Sequence, residues 1–268
     1  MRFDYFNFIY HDKLRITQPP IVGKTIINPK LNFNYQVNQN VSFFVRSGTG
    51  FHSNDARVVV AQDGKDILPR AYGLDLGADI KVTRQLLIHT ALWHLDLDQE
   101  FVYSGDEGVV EPSGKTTREG VDVSVRYQLN SWLFADLDAN FTKPRAVGLP
   151  EGQNYIPLAP VQTSIAGLSV RRGYVLNGSL RYRYIGDRPA NEDNSLIAKG
   201  YFITDATVNY TQKTWEIGMS IENLFDTQWK EAQFDTESRL KNEATRVDEI
   251  HFTPGTPFSL KLRFIKYF

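Results

Sequence analysis

The chain closes on PFSLKLRFIKYF, residues 257–268. Phe258, Leu260, Leu262, Phe264 and Phe268 fall on one side of an extended strand, with Lys266 the exception. Ser259, Lys261 and Arg263 fall on the other side. A two-residue period defines a β-strand with one apolar and one polar face. The end of a water-soluble domain is usually frayed and polar. The apolar face of this strand therefore needs a partner, and the rest of the sequence says which.

The same rhythm runs through the chain. Leu31, Phe33, Tyr35 and Val37 alternate with Asn32, Asn34 and Gln36, and Val121, Val123, Val125 and Tyr127 alternate with Asp122, Ser124 and Arg126. Twelve strands are predicted, over 2–11, 29–37, 41–50, 72–82, 86–98, 117–128, 132–142, 161–171, 174–186, 201–211, 214–224 and 257–268. The connections alternate in length. NQN (38–40), TRQ (83–85), LNS (129–131), RRG (171–173) and QK (212–213) are hairpin turns. The segments 12–28, 51–71, 99–116, 143–160, 187–200 and 225–256 are long loops rich in Gly, Pro, Asp, Glu and Asn.

Short turns at one end and long loops at the other characterise an antiparallel transmembrane β-barrel. Many runs reach the roughly 9–11 residues that a tilted membrane strand needs, against about 5–6 in a soluble sandwich. Trp132, Tyr174 and Trp215 each follow a short turn, where an interfacial aromatic girdle would lie. The mean hydropathy of −0.35 fits as well, because lumen-facing polar residues offset lipid-facing apolar ones. On this reading the apolar face of the last strand touches outer-membrane lipid. A net charge of −1 gives no electrostatic case for nucleic acid, and the absence of cysteine excludes disulfides, thiolate metal sites and cysteine nucleophiles. No cofactor is indicated.

A family resemblance rests on IENLFDTQWKEAQFDTESRL (221–240) followed by EIHFTPGTPFSLKLRFIKYF (249–268). These stretches resemble the C-terminal end of TonB-dependent outer-membrane receptors, with Asn223, Leu224, Phe225 and Asp226 matching a motif that closes the penultimate strand. Phe268 matches the terminal aromatic, which the resemblance implies is read by the barrel assembly machinery. SGTGFHSNDAR (47–57), residues 92–128, YIPLAPVQTSIAGLSV (155–170) and RYIGDRPANEDNS (183–195) are similar to successive parts of the same barrels.

The resemblance implies energised uptake of an extracellular ligand, a ferric siderophore or similar metal chelate, through TonB, in the bacterial outer membrane. Family barrels have about 22 strands around a plug. Residues 1–268 are therefore expected to be the last twelve strands of a receptor barrel, without plug, TonB-contacting region or signal peptide. The alternative is an autonomous twelve-stranded pore or structural barrel.

Candidate ligand-binding residues are sought on the lumen side. His94 and Asp96, with Asp98, alternate with Trp93, Leu95 and Leu97 and are expected to face inwards, as metal ligands or as lumen groups bonded to water or a plug. Arg181, Arg183 and Arg46 are also expected inside, attracting an anionic ligand or pairing with acidic residues such as Asp205 and Glu222. SGKT, within 110–117, lacks the upstream glycine and strand-to-helix context of a phosphate-binding loop. An enzyme is not expected: His89 reads as the lipid-side histidine, in the half near the short turns, and no serine stands at a recognisable spacing from His94.

Overall fold

The computed structural model describes residues 1–9, 21–52, 68–104, 109–173 and 175–268, which form antiparallel strands and their connections with no helix among them. Eleven strands build the main sheet: β3 (Lys30–Gln36), β4 (Val41–Phe51), β5 (Arg70–Lys81), β6 (Leu86–Ser104), β7 (Val109–Gln128), β8 (Leu133–Ala146), β9 (Gln162–Arg172), β10 (Leu176–Ile185), β13 (Tyr201–Thr211), β14 (Trp215–Glu222) and β17 (Ser259–Lys266). They pair in chain order, as successive hairpins must.

At one edge β1 (Arg2–Ile9) pairs with β2 (Ile21–Asn28). Only Pro29 separates β2 from β3. A proline has no N–H to give to a ladder, and here its carbonyl accepts the Thr49 amide at 3.0 Å. The strand broken at Pro29 thus ties the β1–β2 pair to the wall; eleven of the twelve expected strands stand in the main sheet, and the first, β1, lies in a separate two-stranded sheet at its edge. The result is a partial barrel: among the described residues no ladder links β17 to β1 or β3.

The structure corrects four of the predicted loops. Part of 12–28 is the strand β2. The segment 99–116 is mostly strand, because β6 and β7 continue past a bulge near Glu100 and pair up to Ser104 and Val109. Their alternation fades there, since both faces of the ladder lie beyond the apolar band. The segment 225–256 carries a hairpin of β15 (Lys230–Ser238) and β16 (Val247–Pro254), and 187–200 carries the short pair β11 (Arg188–Pro189) and β12 (Ile197–Ala198). Tyr174, the end of the predicted first strand and residues 53–67 of a predicted loop lie outside the described residues.

Three of the short turns share one device. The Asn38 side-chain oxygen accepts the amides of Asn40 and Val41, Thr83 Oγ1 those of Gln85 and Leu86, and Asn130 Oδ1 those of Trp132 and Leu133, all at 2.8–3.1 Å. Asx and ST turns of this kind satisfy the backbone donors of a tight reversal.

Register settles which side chains share a face, because directly opposed residues of an antiparallel pair point the same way. Leu76, Leu92, Val121 and Phe141 form one row across β5 to β8. Leu76, Leu92 and Phe141 are 45%, 59% and 47% exposed, so this is the outer face. The opposite row, Phe44, Gly77, Ala91, Asp122 and Asn140, is small or polar apart from Phe44 and forms the inner face. The last strand obeys the same division, with Leu262 and Phe264 outside and Lys261 and Arg263 inside. Leu262→Arg places a charge in the middle of the outer apolar band. It is expected to cost about 2–4 kcal/mol, read as a lowered midpoint in denaturant titration of the membrane-inserted protein.

Candidate functional site

The inner wall is a ladder of paired charges. Arg181 lies across Gly167 and grips Asp136 with both terminal nitrogens, at 2.9 and 2.6 Å. Arg183 reaches Asp205 at 3.3 Å, Lys261 reaches Glu222 at 2.7 Å, and Arg263 reaches Glu216 at 2.5 Å. Arg181 and Arg183 therefore sit on the inner face, Arg181 with Asp136 rather than Asp205 or Glu222. Arg46 is also inside, with its guanidinium 4.1 Å from the centre of the Phe44 ring.

His94 and Asp96 do not face inwards. His94 is opposed to Leu74 and Glu119, and Asp96 to Tyr72 and Thr117, all on the outer face. The same register puts Trp93, Leu95 and Leu97 inside. Above the row of Leu92 the outer side of β6, β7 and β8 turns polar, with His94, Glu119 and Lys143, while the inner side of β6 turns apolar, so simple alternation along β6 assigns the sides backwards. His94 and Asp96 make a pair of their own at 3.1 Å. His89 is also corrected. It stands on the inner face, 2.7 Å from Asp79, and stacks on Phe44 with ring centres 5.2 Å apart.

The segment Asn223–Asp226 is a clamp. Asn223 is buried, with φ of +52°. Its Oδ1 accepts the Thr227 amide at 2.9 Å, and its Nδ2 donates to the carbonyls of Thr227 and Thr256 at 2.8 and 3.1 Å. The Asn223 amide donates to Asp205 at 2.9 Å, and Leu224 donates to the Thr204 carbonyl at 2.7 Å. Asp226 accepts the Phe258 amide at 2.9 Å. Together they pin the end of β14 to the start of β17 across the intervening hairpin, while the Phe225 side chain projects outwards, 67% exposed.

A cavity of about 510 Å³ opens on the inner face near the long-loop end. Trp93, Arg118, Asn140 and Thr163 form its wall, Ile156, Leu158 and neighbouring prolines its rim, and Phe234 reaches in from β15. Trp93 lies flat over Gly120, and its Nε1–H donates to Asp122 at 3.0 Å. Asp122 also accepts from Asn140 Nδ2. Arg118 pairs with Glu100 at 2.5 Å, and buried Thr116 donates to the same carboxylate at 2.8 Å. The cavity thus offers aromatic surface with a half-buried guanidinium, amide and hydroxyl around it. Such a site suits a ligand with planar apolar parts and anionic or hydroxyl oxygens. Sequence reasoning missed it because Trp93 carries the parity of a supposedly lipid-facing residue. The signal present in the sequence was the glycine at 120, opposite a tryptophan.

The loops over the cavity hold a second cation. Arg188 is buried, and its Nη1 has no hydrogen-bond partner among the described residues. Burial lowers the proton affinity of its guanidinium. Its strand is tied to the cavity rim by the Leu158 amide, which donates to the Pro189 carbonyl at 2.8 Å. Gln233 stitches the same layer to the hairpin, accepting from the Lys199 amide at 2.9 Å and donating to its carbonyl at 2.7 Å.

Asp187 accepts the Gly200 amide at 2.7 Å and the Lys199 ammonium at 2.8 Å, and these hold its carboxyl below the usual carboxylate range. A folded-state pKa below the unfolded one stabilises the loop above about pH 4, and that contribution is lost as the pH falls through the depressed value. The Gly200 amide resonance is expected to titrate with a midpoint below about pH 4, and Asp187→Asn to abolish that titration.

A model of the TonB-dependent receptor-like β-barrel matches residues 1–224. The ferrioxamine receptor of Yersinia enterocolitica is 24% identical over 134 residues, covering 47% of this chain and 19% of that protein. The ferric-catecholate import receptor Fiu of E. coli, in its closed form, superposes with a TM-score of 0.68 at 18% identity, over 92% of this chain and 36% of that one. The copper transporter OprC superposes with a TM-score of 0.71 at 11% identity, over 96% and 43%. These structural likenesses concern the fold, and the chain spans less than half the length of each of these proteins.

Proposed function

The chain belongs to the TonB-dependent receptor-like β-barrel family, and from that premise we propose that it forms part of the wall of a bacterial outer-membrane receptor. The receptor takes up a scarce extracellular metal chelate, a ferric siderophore in the first instance, in a TonB-energised step. The chain corresponds to the C-terminal strands of the barrel, and contact with TonB belongs to the plug side of the receptor. Phe268, at the end of the last strand, is the recognition point for barrel assembly.

The observation that carries this reading is the cavity at the long-loop end, where Trp93 and Phe234 stand with Arg118 on the inner wall. Ferric chelates are commonly anionic and built on planar or hydroxamate groups, which aromatic surface and guanidinium recognise together. Arg188 adds a buried positive charge to the loops tied to the rim. The names of similar proteins support the same class, since they include a ferrioxamine receptor, a ferric-catecholate receptor and a copper transporter. A self-closed small pore would need a ladder between β17 and β1 or β3, and the described residues form none. The family is one of receptors, which sets it apart from a lipolytic barrel.

The test is binding of radiolabelled ferrioxamine and of a ferric tris-catechol complex to outer membranes carrying the receptor with this chain. Saturable binding of at least one probe is expected, weakened about tenfold or more by Trp93→Ala and by Arg118→Met. Binding of neither probe, or binding that both substitutions leave unchanged, would overturn the assignment.

A further inference from the structure

The cavity at the long-loop end has a wall whose charges cancel. Among the described residues that line it, Glu100 and Arg118 alone are charged, and they are bonded to each other at 2.5 Å. Arg118 also donates to Thr116 Oγ1 at 3.2 Å, and that hydroxyl donates to Glu100 at 2.8 Å. The three groups close a ring. A guanidinium has five N–H donors, so Arg118 keeps hydrogen bonds to give, with little net charge behind them.

A bulge brings the carboxylate to this place. Leu95 and Leu97 point inwards, and strict alternation would turn residue 100 outwards. Leu97 opposes Thr116 and Glu100 opposes Gly114, so β6 holds one residue more than β7 over this stretch. The extra residue shifts the parity of β6 and sets Glu100 on the inner face beside Arg118. Both side chains are largely buried there. Two further charges stand back from the cavity surface. Asp122, behind Trp93 and Asn140, accepts a hydrogen bond from each of them. Arg188 is buried among the loops tied to the rim. They are one of each sign, and together they give the cavity no net charge.

We propose that Glu100 sets the specificity of this cavity, and that its wall is built for an uncharged chelate of the ferric tris-hydroxamate class. In such a complex the three ligand charges cancel those of the ferric ion. Its oxygens accept from Arg118, Asn140 and the threonine hydroxyls, and its methylene links pack on Trp93 and Ile156. A ferric tris-catecholate carries three negative charges in excess. It would have to draw the guanidinium away from Glu100, or lose its hydration against a wall whose one cation is already paired. The inference rests on the uptake reading above and narrows its substrate by charge.

The experiment uses outer membranes carrying the receptor with this chain. One probe is radiolabelled ferrioxamine B acetylated at its terminal amine, which leaves the complex uncharged, and the other is a ferric tris-catechol complex. Affinities are measured at low and high salt, and heat-modifiable gel mobility confirms that each variant is folded. The parent is expected to bind the uncharged probe at least about tenfold more tightly than the trianion, with little dependence on salt. Glu100→Gln keeps an acceptor for Thr116 and releases the guanidinium from its counter-charge. The ratio of the two affinities should then shift about tenfold towards the trianion, as a charge-assisted bond becomes available to it. Equal binding of the two probes by the parent, preference for the trianion, or a Glu100→Gln protein whose ratio is unchanged would overturn the proposal while leaving the uptake reading in place. Binding of neither probe would overturn the uptake reading, and this inference with it.

Discussion

Gly120→Val is expected to lift Trp93 off the inner wall and to close the cavity that it lines. A Cβ at this position would lie 2.5 Å from Trp93 Cζ2 and 2.5 Å from the Phe141 carbonyl oxygen. Neither contact is tolerable, and the second is with backbone, which cannot swing aside. Overpacking of this kind costs about 1–3 kcal/mol, and the backbone clash puts this case at the upper end. Expulsion of the indole also breaks its hydrogen bond to Asp122, which leaves that carboxylate with fewer donors on a half-buried wall. Two readouts follow. The denaturation midpoint should fall, and binding of the ferric probes should weaken to the level of Trp93→Ala. A double-mutant cycle isolates the cause, since Gly120→Val combined with Trp93→Ala should be less destabilised than the sum of the single changes. Strict additivity would place the damage at the Phe141 backbone and clear the indole.

The second large effect is expected at Asn223. Alanine there loses three side-chain hydrogen bonds beside a buried backbone and leaves the amide and the carbonyl of Thr227 short of partners, while the Thr256 carbonyl keeps the Trp229 Nε1–H at 3.0 Å. It must also hold a φ of +52°, which asparagine tolerates far better than alanine. The combined cost is of the order of 3–4 kcal/mol. It should fall on one place, the junction where the β15–β16 hairpin leaves and rejoins the wall. Protease cleavage around residues 227–256 should rise while the wall strands stay protected. Asn223→Asp separates the two terms, because it keeps the conformational tolerance and the acceptor for Thr227 but loses the Nδ2 donor. An Asn223→Ala protein with unchanged cleavage would show that the hairpin is held by its own packing, through Gln233 and Trp229, instead.

The wall itself was legible in the sequence, strand by strand, because lipid demands a strict period of two along each crossing. The end of the apolar band marks the point where legibility stopped. Beyond Leu92, Val121 and Phe141 the outer face meets polar surroundings and the inner face packs the cavity, so alternation persists with its meaning reversed. That is why His94 and Asp96 read as lumen groups and Trp93 as a residue of the opposite face. His89 misled for the opposite reason: stacked on Phe44 and bonded to Asp79, it fills a lumen position that Leu87 and Ala91 made look apolar. The extensions of β6 and β7 and the β15–β16 hairpin escaped notice because strands beyond the bilayer have no lipid to enforce the pattern. The Asn223–Asp226 motif was visible as a resemblance, but its clamp geometry needs the positions of Thr227, Thr256 and Phe258, which only the folded chain brings together.

The chain contains no cysteine, so single cysteines can carry a spin label along β6 from residue 87 to residue 96 without background. Membrane-dissolved oxygen and a water-soluble nickel chelate then report what each side chain touches. Labels at 88, 90 and 92 are expected to be relaxed by oxygen, and those at 87, 89 and 91 by the nickel chelate or by neither. At 94 and 96 the preference should switch to nickel even though these positions keep the outward parity. That pattern would establish the wall as a membrane barrel with its hydrocarbon boundary between Leu92 and His94. Oxygen preference at 89 and 91, or nickel preference along the whole strand, would contradict the account.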